Sequence, residues 1–119
     1  MNKSGIGIDI FEIDRIDIIL NNKKKMEKIF TSKELSYCLS KHKPAQHLAV
    51  RFAGKEAVIK ALNTILKHKL SLEKIEILND CNGMPIVKIQ DEKFLNYTIS
   101  ISLSHTNKVA AAMVFAEVN

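Results

Sequence analysis

Aromatic side chains make up only 6% of this 119-residue chain, and none is interleaved with its basic residues as a stacking platform would be. A module that binds nucleic acid combines a basic groove with such platforms, so this class is disfavoured. The two cysteines, Cys38 and Cys81, stand apart with no CxxC partner. They read as reduced thiols without special chemistry. The histidines His42, His47, His68 and His105 have no zinc-ligand spacing with them. No apolar run is long enough to span a bilayer. The opening MNKSGIGIDI lacks the apolar core and cleavage site of a signal peptide. A cytoplasmic protein is expected, with neither a membrane nor a nucleic acid as partner.

The chain is long enough for one domain, 1–119, around one core. Its net charge of +5 attracts anionic partners, whether nucleotide ligands or an acidic protein. Within that charge, the run Lys23, Lys24, Lys25 and Lys28 reads first as a solvated face.

Residues 5–11 alternate: Ile6, Ile8 and Ile10 point one way, Gly5, Gly7, Asp9 and Phe11 the other. This is a strand with one clearly apolar face, and Gly7 beside Asp9 lets a backbone or ligand approach closely. A helix follows from about Asp14. Thr31 with Glu34 three residues on makes a capping box for a helix running to about Ser40. Around Pro44 a loop is expected. The longest helix spans 47–67, with an apolar stripe of Val50, Ala53, Ala57, Ala61 and Ile65. Phe52, Ile59 and Leu66 form a second seam, which makes this helix central or turns one face towards another subunit. Further on, Ile75 and Ile77 start a strand, Asn82-Gly83 marks a turn, and Pro85–Ile89 returns. A short helix is expected over Asp91–Tyr97, and a strand over Ile99–Leu103 with His105 just past its end. Val109–Ala116 reads as a nearly all-apolar, well-buried strand. The fold class is α+β: a small, mainly antiparallel sheet against one long central helix.

The stretch RFAGKEAVIKA, 51–61, places Glu56 and Lys60 four residues apart on that helix. Such residues are neighbours, about 40° apart around the axis. A carboxylate beside a fixed cation suits a magnesium and phosphate site, and Asp9 is a second carboxylate distant in sequence. Taken singly, Glu56 with Lys60 is usually a surface ion pair, Asp9 a strand-end acid, and His105 a satisfied polar residue. Their joint occurrence carries more weight.

Three segments in order resemble the short 4'-phosphopantetheinyl transferases of the holo-(acyl-carrier-protein) synthase family. GIGIDIFEIDRI is similar to the family's N-terminal motif, RFAGKEAVIKA to its central helix, and ISLSHT with the following apolar strand to its C-terminal motif. FTSKEL fits its Phe-x-x-x-Glu segment. The resemblance spans nearly the whole chain. It implies transfer of 4'-phosphopantetheine from coenzyme A to a serine of apo acyl carrier protein in fatty acid biosynthesis, leaving adenosine 3',5'-bisphosphate and requiring Mg²⁺.

By resemblance, Asp9 and Glu56 hold the metal and Lys60 steadies phosphate charge. Arg51 and His105 bind phosphates of coenzyme A. Gly83 and Pro85 line the nucleotide pocket in a Gly-x-Pro turn, where Met84 stands at a position often held by lysine. Arg15 docks the acidic carrier protein, and the Lys23–Lys28 run could extend that surface. The proton acceptor stays open between Glu56 acting through a metal-bound water and that water itself. The family implies a homotrimer with sites between subunits, Asp9 and Glu56 of one chain lying beside a neighbour's His105. One rival is another magnesium-dependent phosphoryl enzyme, such as a nuclease. Against it, a strand-borne acidic pair would usually be two residues apart, whereas Glu56 and Lys60 are four apart on a helix.

Overall fold

The structure, a computed structural model, describes residues 3–119. In chain order the elements are β1 (Ser4–Glu12), α1 (Asp14–Ile19), α2 (Lys23–Ile29), α3 (Ser32–Leu39), α4 (Pro44–Ile65), β2 (Ile75–Asn79), β3 (Pro85–Ile89), β4 (Tyr97–His105) and β5 (Val109–Val118). Two antiparallel sheets result, a three-stranded one in the order β1-β5-β4 and the β2-β3 hairpin. The α+β architecture is thus as the sequence implies, with α4 at its centre.

Helix α4 is buried on most sides, including Leu48, Ala53, Ala57, Val58, Ala61 and Leu62. Its second seam is half-buried within its own chain, and Phe52 lies against Phe11 with ring centroids 4.5 Å apart. That seam is therefore partly covered by the chain itself, as a central helix requires. Pro44 is not in a loop but opens α4 at its first turn. There the missing N–H costs nothing, and the fixed φ suits the helix.

Strand β1 meets α4 through its glycine face. A Cβ on Gly7 would sit 1.9 Å from the Ala57 carbonyl oxygen, and one on Gly5 would sit 2.1 Å from that of Ala61. Only glycine allows this approach. The isoleucine face consequently points outward, with Ile6, Ile8 and Ile10 each exposed by more than 60%. Strand β5 is not buried throughout, as its composition suggests: Ala110, Ala112, Val114 and Ala116 face the helix, while Met113 and Phe115 share the outer face with those isoleucines. Small alanines on the helix-facing side let the sheet lie close to α4.

Two local expectations shift. His105 is the last residue of β4, paired with Ala110. The expected helix after Asp91 shrinks to a 3₁₀ turn over Glu92–Phe94, and Tyr97 already belongs to β4. The lysine run forms α2, a short helix that anchors itself through buried Met26.

Candidate functional site

Two polar clusters flank the middle of α4. The first joins β1 to α4. Lys60 donates to the Ile8 carbonyl at 2.9 Å and to Asp9 Oδ1 at 3.2 Å. Asp9 can reach this far because the glycine face of β1 lies directly on the helix. Glu56, one turn before Lys60, is half-buried. Its carboxyl is pushed above the ordinary range, first by burial and then by the Asp9 charge, with Lys60 pulling the other way. The structure thus brings Asp9, Glu56 and Lys60 together, as the sequence implied. A carboxylate pushed towards protonation by a neighbouring carboxylate is a poor arrangement in isolation. A divalent cation between them would relieve the repulsion. Among the described residues no three His, Cys, Asp or Glu side chains converge as a metal cage. A pair of carboxylates fits Mg²⁺, which keeps several waters and takes its remaining oxygens from phosphate.

The second cluster lies on the other side of α4, around a cleft of about 360 Å³ lined by Arg51, Gly83 and Pro85 with Tyr37, His47 and Met84. Gly83 has φ of +81°, a left-handed conformation that lets the hairpin tip turn. Arg51 is only 2% exposed. Its Nε donates to the Ile77 carbonyl at 2.9 Å, Nη1 donates to the His47 carbonyl at 3.1 Å, and its guanidinium lies over the Tyr37 ring. So Arg51 borders the cleft but is tied into the backbone beneath it. His47 sits one turn before Arg51. Its basicity is lowered by partial burial and then by the charges of Arg51, Lys41 and His105. His105 is exposed at the end of β4 and is close enough for His47 to sense its charge. This end of the molecule is therefore electropositive, which suits an anionic ligand. Sequence reasoning missed His47 and Tyr37 here. For His47 the missed signal was its four-residue spacing to Arg51 on the same helix face.

Arg15 is exposed on α1, its guanidinium 4.9 Å from the centroid of the Phe11 ring. It is the one basic residue of that helix, beside Asp14 and Asp17, while the positive charge is concentrated in α2. A larger cleft of about 610 Å³, bordered by Lys23, Glu27, Thr31 and Glu73, contains none of the catalytic candidates.

With this geometry in view, a family model of the 4'-phosphopantetheinyl transferase superfamily matches residues 5–114. A holo-(acyl-carrier-protein) synthase of Chlorobaculum tepidum is 45% identical over 114 residues, covering 94% of this chain and 97% of that protein. Among solved structures, the holo-(acyl-carrier-protein) synthase of Bacillus anthracis in complex with CoA (3',5'-ADP) superposes with a TM-score of 0.82 at 35% identity, over 97% of this chain and 96% of that one. The Helicobacter pylori holo-(acyl-carrier-protein) synthase in complex with coenzyme A gives 0.80 at 32% identity, over 96% and 99%. The family match defines a transferase. The chain belongs to the 4'-phosphopantetheinyl transferase superfamily, and its relatives in that family are holo-(acyl-carrier-protein) synthases.

Proposed function

We propose that this protein, one domain over 1–119, transfers 4'-phosphopantetheine from coenzyme A to a serine of apo acyl carrier protein in the cytoplasm, serving fatty acid biosynthesis. The observation that carries the reading is the meeting of Asp9, Glu56 and Lys60 at the seam of β1 and α4, in a chain of this family. The serine oxygen attacks the phosphorus bearing the pantetheine arm. The bond from that phosphorus to the bridging oxygen breaks with its electron pair on the departing adenosine 3',5'-bisphosphate, and the serine proton passes to a water beside Glu56. Asp9 and Glu56 would hold Mg²⁺, which when bound offsets the charge of the pyrophosphate. Lys60 has an ammonium N–H left after its bonds to Ile8 and Asp9, and this N–H can meet a phosphate oxygen. Gly83 and Pro85 form the nucleotide-side wall, and Arg51 and His105 supply positive charge there. Arg15, steadied on Phe11, meets the acidic carrier protein, with the α2 lysines beside it.

A homotrimer belongs to the same proposal. Ile6, Ile8, Ile10, Met113 and Phe115 make an exposed apolar sheet face, with Ile8 directly opposite Met113. Such a face suits a second copy of the chain. Sedimentation showing a stable, active monomer would count against that part. No helix among the described residues is long and apolar enough to cross a membrane.

Intact-protein mass spectrometry of apo acyl carrier protein, incubated with this protein, coenzyme A and Mg²⁺, tests the reaction. A gain of about 340 Da, lost with a chelator and with Asp9→Ala, is expected. No gain on several apo carrier proteins would overturn the reading.

A further inference from the structure

The cleft between α4 and the β2-β3 hairpin contains an ionisable ring with uncommitted nitrogens. His47 lines this cleft, half-buried at the start of α4. Its backbone carbonyl accepts from Arg51 Nη1, but its ring makes no hydrogen bond among the described residues. No buried side-chain nitrogen there lacks a partner, so both ring nitrogens are open to solvent at the cleft. The ring stands edge-on to Tyr37, with centroids 6.0 Å apart and planes at 83°. The Tyr37 hydroxyl accepts from Asn79 Nδ2 at 3.1 Å, which leaves its own O–H as a second donor.

Every charge that acts on His47 is positive. Lys41, from the segment before α4, has its Nζ 4.5 Å from the Tyr37 ring centroid. Arg51, one turn further along α4, has its guanidinium 4.7 Å from the same centroid. His105 acts from the end of β4. From α3 comes the uncharged Tyr37, and from the hairpin tip the uncharged Met84. The hairpin's acid, Asp80, is turned into its own loop, accepting from the N–H groups of Asn82 at 2.8 Å and Met84 at 3.0 Å. Partial burial, first, and then the three cations hold the basicity of His47 below the ordinary histidine range. Arg51 adds charge but little contact, being 2% exposed with two donors spent on backbone carbonyls.

A phosphate in this cleft would reverse the field at His47. A nearby opposite charge raises a histidine's proton affinity, and a modest rise crosses neutral pH. A neutral imidazole donates through one nitrogen only, whereas the cation also offsets the anion's charge. We propose, on the reading given under Proposed function, that His47 takes up a proton from solvent as a phosphate of the nucleotide settles against its ring, so that nucleotide binding depends on pH. All these groups belong to one chain, whichever subunit brings the acids beside them. The gain is present below the raised pKa of the complex and is lost as pH rises through it.

3',5'-ADP carries the phosphates without the pantetheine arm, so its affinity reads this half of the site. Calorimetry compares wild type with His47→Gln, which keeps a neutral donor and cannot be protonated, and circular dichroism checks folding. The ligand's phosphates and His105 titrate in both proteins, so the difference between them reports His47. His47→Gln should weaken binding at least about fivefold near about pH 6 and less than about twofold near about pH 8. Near about pH 7, wild type should take up more proton on binding than the variant, as read from heats in two buffers of different ionisation enthalpy. Parallel pH profiles overturn the inference, whether the variant binds equally well or uniformly more weakly. If His47→Gln does not fold, His47→Asn is judged by the same readings. Wild type that binds 3',5'-ADP but transfers nothing overturns the proposed transfer alone. Parallel profiles in an active enzyme overturn the role of His47 alone.

Discussion

Lys55 and Lys60 stand five residues apart on one helix, each paired with a carboxylate, and they do opposite things. Around Lys55 every bond is made inside the protein, and water is absent from both partners. Around Lys60 the ammonium side chain is 56% exposed and Asp9 18% exposed, with Glu56 adjacent and its carboxyl displaced towards protonation. A saturated pair has nothing left to offer a ligand. An open pair with a strained neighbouring carboxylate has both charge and unused coordination. The difference is one of environment and not of residue type.

The comparison can be broken most directly at the buried lysine. Lys55→Met should cost about 3–5 kcal/mol of stability, because Glu34 is left charged and unpaired in the core. Urea unfolding reads this, and a cost below about 1 kcal/mol would show that the pair relaxes to water. Lys60→Met should do the reverse. Its stability should stay within about 1 kcal/mol of wild type, as for a surface pair. Its kcat should fall on the order of 100-fold. Equal stability losses in the two variants would erase the distinction drawn here.

A smaller effect is expected at the docking surface. Arg15→Glu should raise KM for carrier protein about tenfold and leave coenzyme A binding intact, as measured by steady-state kinetics and calorimetry. Losses in both would place Arg15 nearer the nucleotide than its position on α1 suggests. The smallest effect compares the two thiols. Cys38 is buried and its pKa is raised to about 11, chiefly by desolvation, whereas Cys81 is exposed on the hairpin turn. At pH 8 the raised pKa leaves Cys38 almost wholly protonated, and only a thiolate reacts. One label per native chain and two per unfolded chain are expected by mass spectrometry. Rapid double labelling would mean that the α3–α4 core opens readily.

Much of this was legible in the residues themselves. The capping box at Thr31 and Glu34 forms as its spacing requires. The hairpin turns at Gly83, and the serine–isoleucine alternation of β4 is kept. Other features were not legible. The same Glu34 looked like a local cap, yet its largest commitments are to Lys55 and Ile77, 21 and 43 residues away. Nothing in the sequence around Arg51 told of its bond to the Ile77 carbonyl, 26 residues on. The isoleucines of β1 marked an apolar face, and that face is the outer one.

By itself the sequence determined most kinds of element, their order, and which carboxylates and cations fall at helical or strand spacing. These follow from periodicities of 2 and 3.6 and from functional-group chemistry, which are local properties. The tertiary structure decided which face of β1 is covered, which of the two lysine–carboxylate pairs is sealed, and that Asp9 meets Lys60 across 51 residues of chain. Alternation distinguishes two faces of a strand but does not say which one meets the helix. Here the absence of side chains at Gly5 and Gly7 let α4 take the glycine side, and the open site formed along that contact.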